Sequence, residues 1–152
     1  MPTFHSHFTV QVPLDKVLAF HRDARNLPKV QPPFPKVLSL ICPPELSVGS
    51  LVEVELGPFP RQSWKVRVDE LHEPHGEPRR ALMIDTMISG PFPFWRHRHE
   101  FTAHVDATLI EDTIDFEPPG GRFGWLLLPG VTIVLTLMFC YRRKQTRNHL
   151  NI

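Results

Sequence analysis

The chain has 152 residues, 41% of them hydrophobic and 22% charged, which is long enough for one domain with a substantial core. Its 17 lysines and arginines nearly balance its 16 aspartates and glutamates, and the net charge of +1 argues against a nucleic-acid-binding surface. The two cysteines, Cys42 and Cys140, lack metal-type spacing, and the N-terminal residues lack a signal-peptide pattern. We therefore expect a single domain over residues 1–152, in a reducing cytoplasm and without a nucleic-acid partner.

The first thirty residues predict a strand followed by a short helical region. Apolar and polar side chains alternate over residues 4–12, which is the pattern of a half-buried strand. Pro13 ends this strand. An apolar stripe that includes Val17 and Phe20 then predicts a short helical pair, which Asn26-Leu-Pro28 ends.

Six further extended runs follow, and Gly- and Pro-rich turns separate most of them. A tight reversal is predicted at Asp106-Ala107. Together with the first strand, the runs predict seven strands, most of them joined as hairpins. The six runs are Val37–Ile41, Ser50–Leu56, Ser63–Leu71, Ala81–Ser89, Phe94–Val105 and Thr108–Phe116.

The C-terminal part changes character and predicts one long helix. Residues 123–141 contain no charged side chain and are followed by Arg142-Arg-Lys144, a combination that is also typical of a membrane span. Pro129-Gly130 interrupts the stretch, and without this helix the strands would lack a covering layer. We expect a helix buried in a curved sheet, with its basic end complementing the helix dipole, and we keep membrane contact as an alternative.

The segment from Trp95 to Phe101 carries the most informative chemistry. Trp95, His97, His99 and Phe101 occupy alternate positions, so an extended backbone sends them to one face and the intervening charged residues to the other. The aromatic face is expected to be buried. It would form a wall that carries two histidines.

A carboxylate is predicted beside these histidines. With a turn at Asp106-Ala107, Phe101 would face Asp112, and Asp112 would lie diagonal to His99 and within its reach. The pair would be a polar anchor for a ligand, a general base acting on a carbonyl group, or a structural pair whose two side chains only hydrogen-bond to each other. Asp85, on a neighbouring strand with matching parity, is the reserve partner.

Other chemistries have weaker support. The His97-x-His99 pair with a nearby acid can supply three ligands of a zinc or iron site, but His5 and His7 fall on the outer face of the first strand, so no fourth ligand is evident. No nucleophile motif points to a hydrolase. We expect no metal and no cofactor.

Several motifs along the whole chain resemble the START and polyketide-cyclase superfamily, also called SRPBCC, and in particular its ligand-binding branch. The resemblance rests on Val12-Pro13 with Val17 and Phe20, Asn26-Leu-Pro28, Pro32-Pro33, Asp85 followed by Gly90-Pro-Phe92, Trp95-x-His97-x-His99-x-Phe101, Thr108 with Asp112, and Phe139-x-Tyr141-Arg142.

This resemblance implies the helix-grip fold of the α+β class. In it a seven-stranded curved antiparallel sheet wraps around one long C-terminal helix, with two short helices after the first strand and a hydrophobic cavity between sheet and helix. Two positions depart from the pattern. Met87 stands where a polar residue is expected, which makes the cavity more apolar, and Asp106-Ala107 replaces a glycine pair.

The function expected from these features is binding or transport of a small hydrophobic molecule, such as a lipid, without catalysis. One alternative is a cyclase or dehydratase that uses His97 or His99, assisted by Asp112, as general base. A second is a membrane-associated or protein-interaction module. The sequence pattern names neither a ligand nor an oligomeric state.

Two sets of residues complete the prediction. The expected cavity of several hundred Å³ would be lined by Trp64, Met83, Asp85, Met87, Trp95, His97, His99, Phe101, Asp112, Ile114 and Phe116. Alternate turns of a meander lie at one end of the sheet, so the two Gly-Pro-Phe-Pro turns and the loop before the long helix would form the cavity mouth with Phe59, Phe92, Phe123 and Trp125.

Overall fold

A computed structural model describes residues 1–150, and within them it shows a seven-stranded antiparallel sheet packed against three α-helices. The strands are β1 (Thr3–Val10), β2 (Lys36–Ile41), β3 (Leu51–Gly57), β4 (Gln62–His75), β5 (Arg80–Ser89), β6 (Phe94–His104) and β7 (Ala107–Glu117). The helices are α1 (Leu14–Arg22), α2 (Leu27–Val30) and α3 (Gly124–Leu150), with 3-10 turns at Ala24–Asn26 and Gly121–Phe123. The predicted fold class is confirmed.

The strand order is β1-β7-β6-β5-β4-β3-β2, so β2 to β7 form one meander. β1 pairs with β7 and forms one edge of the sheet, and the α1–α2 segment connects β1 to β2 at the opposite edge. Pro13 is the N-cap residue of α1. Its carbonyl oxygen accepts the first helical hydrogen bonds, from the amides of Lys16 and Val17 at 3.1 and 3.2 Å. The apolar side of α1 then packs on Phe101 of β6.

The register of the β6–β7 hairpin differs by two residues from the prediction. Ala107 pairs with His104, so the turn is Val105-Asp106 instead of Asp106-Ala107. Asp106 adopts a left-handed conformation with φ 54°, which aspartate tolerates better than most residues, and Ala107 is buried as the first residue of β7. The shift of two residues keeps every side chain on its predicted face but places Asp112 opposite His99.

Helix α3 is less buried than we expected. Of its most apolar 18-residue window, which has a mean hydropathy of 2.1, only 17% is buried, so the helix is long and apolar enough to cross a membrane by length and composition. Leu135 and Phe139 pack against β6 and β7, whereas most apolar side chains of the first half face outward. This half of α3 therefore touches the sheet along one narrow stripe, and the sheet encloses it less than we expected.

Candidate functional site

A cavity of about 230 Å³ lies between the inner face of the sheet, the α1–α2 segment and the C-terminal half of α3. It is smaller than the several hundred Å³ expected. Its wall is mostly apolar, with Val54, Trp64 and Met83 from the sheet and Phe139 from α3. Polar side chains gather where β5, β6 and β7 meet.

The polar side chains form a continuous chain of two histidines and two carboxylates. His97 Nε2 donates a hydrogen bond to Asp112 Oδ1 at 2.8 Å, and His99 Nδ1 lies 3.0 Å from the same oxygen. On its other side, His99 Nε2 donates to Asp85 Oδ2 at 2.9 Å. Both acids considered from the sequence are thus partners of the histidines. The strand register places Met83 and Asp112 on either side of His99, and it places Asp85 beside His97, from where Asp85 reaches His99 diagonally.

The contacts give the two histidines different protonation states. Burial disfavours the imidazolium of His99, but the bonds to Asp112 and Asp85 outweigh burial and raise its pKa to about 9. The pKa of His97 is lowered by burial and by the neighbouring His99 cation, which together outweigh its bond to Asp112. The pKa of Asp112 is lowered as well, because hydrogen bonds from both histidines outweigh its burial. At neutral pH the site holds a His99 cation and a neutral His97.

His97 is therefore the histidine whose ring can accept a hydrogen bond from a ligand. Its Nε2 carries the proton of the hydrogen bond to Asp112, and its Nδ1 has no hydrogen-bond partner among residues 1–150. The ring lines the cavity, and the edge-on ring of Phe139, at 5.8 Å between centroids, restricts its orientation. This nitrogen can accept a hydrogen bond or a proton from a molecule in the cavity.

Two polar residues of the site were not predicted. His21 of α1 donates its Nδ1 proton to the Val17 carbonyl oxygen at 2.8 Å, and burial lowers its pKa to about 4, so the ring is neutral. Arg142 of α3 lines the cavity with its guanidinium 5.3 Å from the Phe139 ring centroid. His21 carries one sequence signal, its position four residues after buried Val17, whereas the sequence places Arg142 in the family motif and at the basic helix end but not in the cavity.

The structure divides the predicted ligand-binding residues into two groups. Trp64, Met83, Asp85, Trp95, His97, His99 and Asp112 line the cavity. Four others do not: Phe101 packs under α1, and Ile114, Phe116 and Met87 belong to or pack against the cluster that contains Leu135 and Phe139 of α3. That the first group contacts a ligand remains a prediction.

The predicted mouth residues lie away from the cavity wall. Phe92 packs against Trp64 and Trp95 with ring centroids 5.7 and 4.9 Å apart, so it covers two residues that do line the cavity. Phe59, Phe123 and Trp125 are exposed. Only Phe92 thus contacts the cavity wall among the four, and their role at an entrance remains a prediction.

Metal binding can be judged from the donor set. Asp85, His97 and His99 each bring one potential ligand atom, and the three atoms lie within 4.8 Å of one another. The carboxylate and the His99 nitrogens already satisfy one another through hydrogen bonds, so an ion would have to displace protons that the site holds tightly. The expected absence of a metal remains a prediction.

Solved structures with this architecture are numerous. Truncated norcoclaurine synthase from Thalictrum flavum matches with a TM-score of 0.71 at 16% identity, over 99% of this chain and 94% of that one. A START superfamily protein from Mycobacterium smegmatis matches with a TM-score of 0.68 at 12% identity, over 98% and 97%. A protein from Thermus thermophilus matches with a TM-score of 0.69 at 17% identity, over 98% and 97%.

No family model and no curated protein sequence matches the chain. The structural matches confirm the predicted resemblance at the level of the fold: the chain has the helix-grip fold shared by START and Bet v 1-like proteins.

Proposed function

We propose that the protein binds one small, largely apolar molecule in its internal cavity and holds it without converting it. The observation that carries this proposal is the cavity itself, a mostly apolar space of about 230 Å³ whose histidine, aspartate and arginine side chains cluster where β5–β7 face α1 and α3. Such a distribution suits a ligand whose body is apolar and whose polar group lies at one end. A cavity of this size suits a compact ligand better than a long lipid.

The first test is native mass spectrometry of the purified protein, to detect a co-purified small molecule. The second uses N-phenyl-naphthylamine, a neutral fluorophore. Met83→Trp fills the cavity and should abolish fluorophore binding, whereas Ile88→Trp, at an exposed position of the same strand, should leave it unchanged. Equal binding by both variants, with the fold intact, would place the fluorophore outside the cavity and reject the proposal.

A second candidate function is general-base catalysis by His97. It is supported by the neutral ring with an unpartnered Nδ1 beside Asp112, among the residues 1–150 that the structure describes. His99 is a poor base because it is already protonated. One of the structural neighbours is an enzyme, norcoclaurine synthase, solved in complex with dopamine and hydroxybenzaldehyde. For this chain, a polyketide-like substrate that is converted by wild type and bound but not converted by His97→Gln would favour catalysis over retention.

A cytoplasmic location is part of the same proposal. It is supported by Cys42 and Cys140, which are both free thiols, as is usual in a reducing compartment.

A further inference from the structure

Arg142 is half-buried, and its charge has no matched partner in the described part of the chain. Its Nε is buried and has no hydrogen-bond partner among residues 1–150, and none of the ion pairs in these residues includes it. The contact that positions it is a cation–π contact with the ring of Phe139. Arginine keeps its proton even when burial lowers its pKa, so the charge cannot be removed by titration.

The nearby carboxylates do not fill this role. Asp112 accepts from His97 and lies against His99, and Asp85 accepts from His99, so both acids are matched to histidines. They influence Arg142 only through longer-range attraction. A partly buried charge left without close partners is unfavourable, and a carboxylate with two oxygens is the group that a guanidinium binds best.

We propose that the cavity binds a compact apolar carboxylic acid, with its carboxylate on Arg142 and its body against Trp64 and Met83. This inference rests on the proposed function, since it names the class of ligand for the same cavity. The apolar wall provides affinity for the body, and Arg142 selects the acidic head group.

The test compares three probes of the same size: naphthoic acid, naphthamide and methylnaphthalene. Wild type should bind the acid about tenfold or more tightly than the amide. Arg142→Met should remove this preference while it retains the binding of methylnaphthalene. Arg143→Met is the matched control, because Arg143 follows on the same helix but contacts Phe8 and does not line the cavity, and it should retain the preference.

The outcomes separate the two proposals. If wild type binds acid and amide equally, or Arg142→Met keeps the preference, the assignment to Arg142 is wrong and cavity binding stands. If no probe binds, both proposals fail. Should Arg142→Met not fold, NMR of the Arg142 Nε–H in wild type decides, because it should shift with the acid and not with the amide.

A different observation concerns the outer surface of α3. Five of its large apolar side chains are about three-fifths to two-thirds exposed over the first four turns: Trp125 at 68%, Leu126 at 59%, Ile133 at 61%, Val134 at 63% and Leu137 at 66%. Isolated exposed apolar residues are ordinary, but a continuous helical face of this kind marks a contact surface. We call these five residues the outer face of α3.

The charges at the two ends of the outer face distinguish between two possible partners, a second copy of the chain and a lipid surface. Residues 121–150 contain no aspartate or glutamate, while Arg122 precedes the outer face and Lys144 follows it. A second copy paired antiparallel about Ile133 would place Arg122 of one chain against Lys144 of the other, and parallel pairing would place each cation against itself. We infer that the outer face lies on an anionic lipid surface, which satisfies both the apolar side chains and the flanking cations.

The test is co-sedimentation with vesicles of phosphatidylcholine alone or with about 30% phosphatidylglycerol. Wild type should sediment with the anionic vesicles and much less with the neutral ones. The double variant Ile133→Ser with Leu137→Ser should lose binding, and Val105→Ser, at an exposed hairpin tip, should not. Absence of vesicle binding, or a dimer in solution that only the double variant disrupts, would overturn the inference.

Discussion

The imidazole rings of His97 and His99 stack with their centroids 3.7 Å apart, yet they hold different protonation states. Two cations at this distance would repel each other strongly, so the site keeps only one. His99 has the proton because it has a carboxylate on both sides, whereas His97 has only the shared Asp112. The result is a fixed cation beside a neutral ring that can accept a hydrogen bond.

The first prediction concerns the carboxylates that hold this cation. Asp112→Asn should lower the pKa of His99 below about 9, since one of its two anionic partners is lost. Asp85→Asn should act in the same direction. An NMR titration of the His99 ring measures both effects, and a His99 pKa that neither substitution changes would contradict the described arrangement.

The second prediction is the pH dependence of stability. The folded pKa of His99, about 9, lies above its unfolded value of 6.5, so its stabilisation is complete below about pH 6.5 and is lost as the pH rises through 9. The shift corresponds to a loss on the order of 3 kcal/mol. His21 has the opposite sign: its pKa falls to about 4, so the unfolded chain takes up a proton first and stability declines from pH 6.5 towards 4. The free energy of unfolding should therefore be highest near pH 6.5.

Urea denaturation at several pH values measures this profile. His99→Gln should flatten the alkaline side, while His104→Gln, at an exposed position, should keep it. An unchanged alkaline slope in His99→Gln would assign the loss of stability to another group.

The faces of the strands were predictable, but the pairing of the site was not. Alternation of side chains put His97, His99 and Asp112 on one face, and this survives any register shift of two residues. Which acid meets which histidine depends on the turn, and the left-handed Asp106 moved that turn by one position along the chain. His21 and Arg142 reach the site from helices, whose docking angles follow from packing across the whole chain and not from a local pattern.

The partial burial of α3 was unpredictable for a related reason. An uncharged stretch fits both a core helix and a surface helix with an apolar face, and hydropathy does not distinguish them. Only the position of the sheet relative to Leu135 and Phe139 decides which side is covered.

The third prediction tests the β6–β7 turn. Asp106→Ala should lower the free energy of unfolding by about 1 kcal/mol, because alanine tolerates φ 54° less well, whereas Asp106→Gly should be close to neutral. Thermal and urea denaturation measure both changes. Equal effects of the two substitutions would show that the backbone conformation of Asp106 is unimportant for stability.

The last prediction concerns ligand entry at the end of the sheet that carries both Gly-Pro-Phe-Pro turns. Phe92 packs on Trp64 and Trp95, two residues of the cavity wall, whereas Phe59 is 81% exposed. Phe92→Ala should raise both the association and the dissociation rate of N-phenyl-naphthylamine, because it removes the cover, and should lower the free energy of unfolding by about 2 kcal/mol. Phe59→Ala is the control and should change neither the rates nor the stability. Stopped-flow fluorescence measures the rates, and unchanged rates in a folded Phe92→Ala protein would place the entrance elsewhere.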